Sequence, residues 1–153
     1  MRLFEDEVIL GKELNDFTAQ HKKNLGLVSL DVPLLSNLDV WVNIALIKQY
    51  HENLSADKAQ KLVLGYLARY GLEDISGKRN PALTNKERFC VMLLRAAMVM
   101  DAMVVIDRPF TIIPDAQDDR FIYETLKAVD DSYRECHIFD YIWSKDRYKM
   151  IDI

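Results

Sequence analysis

Only two cysteines, Cys90 and Cys136, occur in 153 residues, too few for a disulfide framework. Each lies in an apolar run, where a small buried thiol is the plain reading. No block of like charges runs through the chain, and a formal net charge of -4 gives no diffuse attraction to nucleic acid or anionic lipid, so nucleic acid is set aside as a partner. A long uninterrupted apolar stretch is also missing. The N-terminus, Met-Arg-Leu-Phe-Glu-Asp-Glu, lacks the core of a signal peptide, and the greasiest window, Val91 to Ile106, is broken by Arg95 and Asp101. The expectation is a cytoplasmic chain without direct membrane insertion, at most peripheral to the inner membrane through a partner. Internal repeats and low-complexity segments are absent.

What is present is the composition of one globular domain, 1–153, with half of its residues apolar and 29% charged. Glu7 to Leu10 followed by Gly11-Lys12 reads as a short strand and turn, Asn15 to Lys23 as a polar connector or helical turn, and Leu25 to Ser29 as a more buried strand. Asp39 to His51 fits strand or helix by its apolar pattern, and its length favours helix. Ser55 to Tyr70 predicts a helix: Ser55 caps it, Leu62, Val63, Tyr66, Leu67 and Tyr70 form one stripe, and Gly71 stops it. Thr84-Asn85-Lys86-Glu87 has the spacing of a capping box before a long helix to about Met100. Met103 to Ile106, closed by Asp107, fits a strand buried on both faces. Pro114 and Asp115 introduce a helix from Ala116 to about Val129, with Asp118 and Asp119 at the positive end of its dipole. The tail predicts strands at Glu135–Trp143 and 147–153; Ser144-Lys145-Asp146 between them suits a hairpin and is too short for a parallel crossover.

Leu83 through Pro109 resembles, without a gap, the stretch of ABC-transporter ATPases from the LSGGQ signature to the Walker B strand: an opening leucine and hydroxyl residue, Arg95-Ala96, Asp101, the apolar strand, Asp107 and Pro109. Leu25-Gly26-Leu27-Val28, then Leu34 through Val40 with Asn43 and Ala45-Leu46, resemble the Q-loop strand and the segment after it. Leu67-Ala68-Arg69-Tyr70-Gly71-Leu72 is similar to a stretch of that family's helical subdomain. Leu35-Ser36-Asn37-Leu38, Tyr50-His51 and Phe110 are closest in flavour to Mla-type lipid-trafficking ATPases. The resemblance covers most of residues 6 to 143. It implies an α/β fold, a reduced P-loop-NTPase-like sandwich with a mostly parallel sheet, in which about 31–82 forms a helical-subdomain-like insertion.

The same resemblance implies a site emptied of its chemistry. The phosphate-cradling G-x-x-x-x-G-K-[ST] needs glycines whose backbone N–H groups face phosphate, and a lysine and hydroxyl after them. Gly11-Lys12 is preceded at the first glycine position by Asp6 and followed by Glu13; Gly77-Lys78 has Leu72 and Arg79 there. Gly11-Lys12 matches a turn after the family's loop, so the sequence is expected to begin downstream of that loop. The Q-loop glutamine aligns with Leu30, the signature glycines with Asn85 and Lys86, the catalytic carboxylate after Asp107 with Arg108, and the D-loop aspartate with Pro114. The switch histidine falls near Asp140 or Tyr141. Thr84 and Glu87 are explained by helix capping, Asp107 by hydrogen bonding to the following turn, and Asp115, Asp118 and Asp119 by capping. Cys136 and His137 face opposite sides of a strand and make no shared metal site. No catalytic residue, metal or cofactor is expected.

In this family the phosphate-loop strand lies inside the sheet, next to the strand before the switch position. Its loss would leave a gap, which a C-terminal antiparallel hairpin is expected to close. The functional expectation is a non-catalytic pseudo-ATPase that binds protein, in the family's manner a permease subunit of a lipid-type transport system, through a surface including Trp41, Ile44, Ile47 and Tyr50. Two alternatives stand: a second ABC-like chain supplies the missing loop and completes an ATPase, or the chain is a structural homodimer without a transport role.

Overall fold

The computed structural model describes residues 1–152. Four parallel strands, β1 (Arg2–Phe4), β2 (Leu25–Val28), β3 (Met103–Asp107) and β4 (Glu135–Tyr141), form one sheet in the order β1-β4-β3-β2. The helices are α1 (Glu7–Gln20), α2 (Val40–Glu52), α3 (Ala56–Ala68), α4 (Asn85–Ala97), the short α5 (Pro109–Ile112) and α6 (Arg120–Ala128).

Strand alternation divides the core into two layers. Val28, Val104, Ile106 and Ile138 join the larger cluster with α2, α3, α4 and α6, whereas Met103, Val105 and Phe139 meet Phe17 of α1 on the opposite face. All five residues of β3 are buried, as a central parallel strand between two helical layers requires. Its neighbour β2 approaches α4 so closely that a Cβ on Gly26 would stand 2.2 Å from the Ala96 carbonyl oxygen, a position only glycine fills.

Local signals decide several helices. Ser55 Oγ accepts from Lys58 N–H at 3.2 Å and caps α3, and Gly71 takes φ +68° just beyond that helix. Thr84 and Glu87 close the reciprocal capping box of α4, with the Thr84 hydroxyl accepting from Glu87 N–H at 3.1 Å and the Glu87 carboxylate from Thr84 N–H at 2.9 Å. The segment from Asp39 to His51 is helical, as its length favours.

Three expectations need correction. Glu7 to Leu10 is not a strand but the first turn of α1, and Gly11-Lys12 lies inside that helix. Asp6 accepts from Ile9 N–H at 2.8 Å and starts it, and Leu10, Leu14 and Phe17 place an apolar stripe at helical spacing toward the sheet. The helix after Pro114 begins later, at Arg120. No C-terminal hairpin forms among the described residues: Ile142–Arg147 is a 3-10 helix, residues 148–152 form no strand, and Ile153, the end of the expected strand, lies outside the described residues.

Asp119 gives the reason. Instead of serving the helix dipole, its fully buried carboxylate accepts backbone N–H groups from Lys149, Met150 and Ile151 at 2.7 to 3.1 Å. Those amides are therefore spent on a side chain, while Tyr148 donates its hydroxyl to buried Asp140 at 2.6 Å. The sheet position beside β4 is taken by β1 instead, in parallel register from Arg2↔Phe139 to Phe4↔Tyr141.

Replacing Asp119 with Ala should strand three amides and destabilise the chain by ~2–3 kcal/mol in urea unfolding, with hydrogen exchange at 149–151 accelerating most. Burial pushes both cysteine thiols up to about 12. Alkylation by iodoacetamide at pH 8 should accordingly be slow in the folded chain and rapid in guanidinium, because only the thiolate reacts.

Candidate functional site

Parallel strands end on the same side, so the residues following β1, β2, β3 and β4 converge on one edge, where open α/β sheets hold their ligands. At these strand ends stand Glu5 and Asp6, Ser29 to Asp31, Asp107, the last residue of β3, with Arg108, and Asp140 and Tyr141, the last residues of β4, with Ile142 and Trp143.

Asp107 is the centre. It is 1% exposed, sits at the last position of β3, and has both carboxylate oxygens engaged. Ser29 Oγ donates to Oδ2 at 2.7 Å; Arg108 donates from Nε to Oδ1 at 2.8 Å and from an Nη to Oδ2 at 3.2 Å. A carboxylate held by a two-pronged guanidinium and a hydroxyl is a self-contained ion pair. Arg108 reaches back onto its own neighbour from a left-handed backbone, φ 47° and ψ 65°, with its N–H bonded to the Phe139 carbonyl at 2.8 Å. The hydrogen bonds to Asp107 hold the guanidinium charged and raise its pKa above the ordinary arginine value.

The neighbouring strand ends complete the arrangement. Arg108 also donates to the Tyr141 hydroxyl at 3.2 Å and comes within 3.7 Å of the exposed Asp31 carboxylate. Tyr141 lies 5.9 Å from the guanidinium carbon on one side and stacks on Trp143 at 4.2 Å. Asp140 is buried, with one oxygen accepting from the Tyr141 N–H at 2.7 Å and the other from Tyr148. Burial and this carboxylate together push the Tyr148 phenol up from its usual value.

The step from β1 to α1 is Glu5-Asp6, two acidic residues without glycine. Asp6 turns its carboxylate onto the helix N-terminus, where Glu7 adds another negative group. The partial positive charge of that terminus is thus matched from within.

Of the remaining expected positions, Leu30 lies on this edge after β2 with a half-exposed side chain, and the others lie apart from the cluster. Asn85 accepts from Arg88 at 2.9 Å, Lys86 stands over the Phe121 ring at 5.2 Å, and Pro114 is exposed between α5 and α6. Of the proposed contact residues, Ile44 is fully buried in the core and presents no surface; Trp41 and Ile47 pack on the core at its margin, and Tyr50 is exposed. Cys136 and His137 do face opposite layers, His137 toward Phe17 and Glu135. Among the described residues, no three histidine, cysteine, aspartate or glutamate side chains are grouped to hold a metal, and no helix is long and apolar enough to cross a membrane.

Sequence reasoning missed Ser29, Asp31 and Asp6 as members of the site, and reached Tyr141 only as a residue near the position of the family's switch histidine. Asp6 had a local signal, an N-cap residue one turn before the Leu10, Leu14, Phe17 stripe. Ser29 had none, because it meets Asp107 only through strand pairing.

No family model matches the chain. It is 26% identical over 131 residues to the thiamine import ATP-binding protein ThiQ of Histophilus somni (strain 129Pt), an alignment covering 86% of this chain and 59% of that protein. Among solved structures, the dimeric MJ0796, a bacterial ABC transporter cassette, superposes with a TM-score of 0.61 at 16% identity, over 85% of this chain and 57% of that one. An ATP-binding subunit of an ABC transporter gives 0.57 at 16% identity, over 88% and 56% respectively. The chain therefore spans little more than half the length of the proteins it matches, and its fold is that of an ABC-transporter ATPase domain.

Proposed function

We propose that this chain is a non-catalytic relative of the ABC ATPases whose role is to bind protein. One observation carries the reading: the buried Asp107 carboxylate is neutralised by Arg108, the residue directly after it. A magnesium ion needs free carboxylate oxygen, and both oxygens of Asp107 already accept hydrogen bonds from Arg108 and Ser29. A metal arriving there would meet a guanidinium. The general base of a hydrolytic step would have to come from elsewhere, since arginine cannot accept a proton at neutral pH.

A second support comes from α1. Helix N-termini hold phosphate through free N–H groups and a positive dipole end, but the Asp6 carboxylate already takes the Ile9 N–H, and Glu5 and Glu7 add negative charge beside it. Phosphate would be repelled where a phosphate-binding loop attracts it. Neither site residue set fits a magnesium–nucleotide group, so no reaction step is assigned to one.

The protein-binding role rests on apolar surface near the β2 end of the sheet, where Val32, Leu35, Leu46 and Tyr50 are exposed. The similarity to an import ATP-binding protein supports a place beside a transport system, with a permease subunit as one partner; the lipid-type flavour rests only on Leu35 to Leu38, Tyr50-His51 and Phe110. The reading in which a second chain completes an ATPase is disfavoured by Arg108, because the intruding cation would remain.

Isothermal titration with ATP and magnesium should give no heat of binding; micromolar affinity would overturn the proposal. If Arg108 is the internal counter-ion, Arg108→Ala should cost ~3 kcal/mol in chemical denaturation, and Arg108→Lys less. Unchanged stability in Arg108→Ala would show that Asp107 does not depend on it.

A further inference from the structure

β2 is the open edge of the sheet. Asn24 accepts from Met103 N–H at 2.7 Å, so strand alternation turns the backbone groups of Asn24, Gly26 and Val28 toward β3 and those of Leu25 and Leu27 outward. Among the described residues nothing bonds these outward groups. Edge strands of soluble proteins are ordinarily protected by charge, proline, a bulge or a covering element. Leu-Gly-Leu-Val has none of the first three, and beside it runs an open apolar groove of about 330 Å³ walled by Leu46, Ile47, Val99, Val32 and Leu35.

The edge is also self-complementary in charge. Lys22 and Lys23 are exposed just before the strand, and Asp31, which lies within 3.7 Å of Arg108 yet stays largely exposed, comes just after it. An antiparallel copy of the same strand sets each basic end beside an acidic one, whereas a parallel copy sets like charges together. Gly26 stands midway, between the two residues whose backbone faces outward.

We infer that a second copy of this chain pairs its β2 antiparallel to this one about a two-fold axis passing beside Gly26, joining the two sheets into one of eight strands. Leu25 then exchanges both backbone hydrogen bonds with the partner's Leu27, and Leu27 with the partner's Leu25, while the two Gly26 residues form the close, non-hydrogen-bonded pair between them. The same operation stacks Leu25 and Leu27 across the junction on the α1 face and brings the two grooves together on the α4 face. An isologous contact of this kind closes on itself and leaves no edge at β2. The inference deepens the protein-binding reading by naming the partner, and it does not depend on the absence of nucleotide binding.

Sedimentation of the full chain over a concentration series, with hydrogen exchange at each concentration, tests it. A dimer is expected in which the Leu25 and Leu27 amides are protected and lose protection on dilution. Leu46→Glu, which charges the groove, should weaken association tenfold or more. Two charge variants sharpen the test: the double substitution Lys22→Glu, Lys23→Glu and the single Asp31→Lys each place like charges at both ends and should be monomeric alone, yet form a heterodimer when mixed. Circular dichroism of each variant confirms that it is folded. A chain that stays monomeric to ~0.5 mM, or a dimer indifferent to these substitutions, overturns the inference. Nucleotide titration of the same samples is a separate readout, so dimer formation and nucleotide silence can fail independently.

Discussion

A carboxylate at the end of a strand buried on both faces must be neutralised, and much of the geometry at this sheet edge follows from how Asp107 meets that demand. Leaving such a charge unpaired would cost several kcal/mol. Arg108 supplies the counter-charge from the adjacent position, which requires the chain to turn through a left-handed conformation immediately after β3. The turn is stabilised from β4, through the Phe139 carbonyl and the Tyr141 hydroxyl, and from β2 through Ser29. Three of the four strands are thereby tied to a single ion pair at their C-terminal ends.

The elements legible in the sequence were those decided by neighbouring residues. The Thr84–Glu87 box, the Ser55 cap, Gly71 and the continuous apolar run of β3 each specify their structure within a few positions, and each is found as read. The misreadings share the opposite property. Val8, Ile9 and Leu10 suit a strand by residue type, and only the longer spacing from Leu10 to Phe17, together with a sheet face to receive it, selects helix. The sequence from Arg147 to Ile153 suits a strand as well, but Asp119, some thirty residues earlier in the chain, claims the amides of Lys149, Met150 and Ile151. The site divides in the same way: Asp107 and Arg108 were visible as a pair through their order after an apolar strand, and Tyr141 through its place near the switch position, while Ser29 and Asp31 join them by register alone.

The order of strands also explains how a chain little more than half the length of the cassettes it resembles keeps a continuous sheet. A strand missing from the interior would expose two rows of backbone groups, a defect that packing cannot hide. Here β1, only three residues long, occupies the place beside β4, and α1 returns across the sheet to cover Met103, Val105 and Phe139. The aromatic cluster of Phe4, Phe17 and Phe139, with Arg2 lying over two of its rings, adds to the few ladder bonds that hold this short strand. Among the described residues both outer strands are short and unpaired on one side, and an apolar groove runs beside β2.

The two poles of the sheet's C-terminal edge are satisfied by the same principle applied with opposite signs. A helix N-terminus offers partial positive charge and free N–H groups; Asp6 fills it with a carboxylate. A buried carboxylate offers negative charge and free oxygen; Arg108 fills it with a guanidinium. A bound nucleotide with its metal would supply both partners from solution, anion to the helix and cation to the carboxylate, and the folded state would then gain stability by binding it. With both partners built into the chain, the folded state needs neither. That internal neutrality, rather than the absence of any one motif residue, is the physical ground of the proposed non-catalytic reading, and the exposed apolar margin of β2 is where the proposed interaction lies.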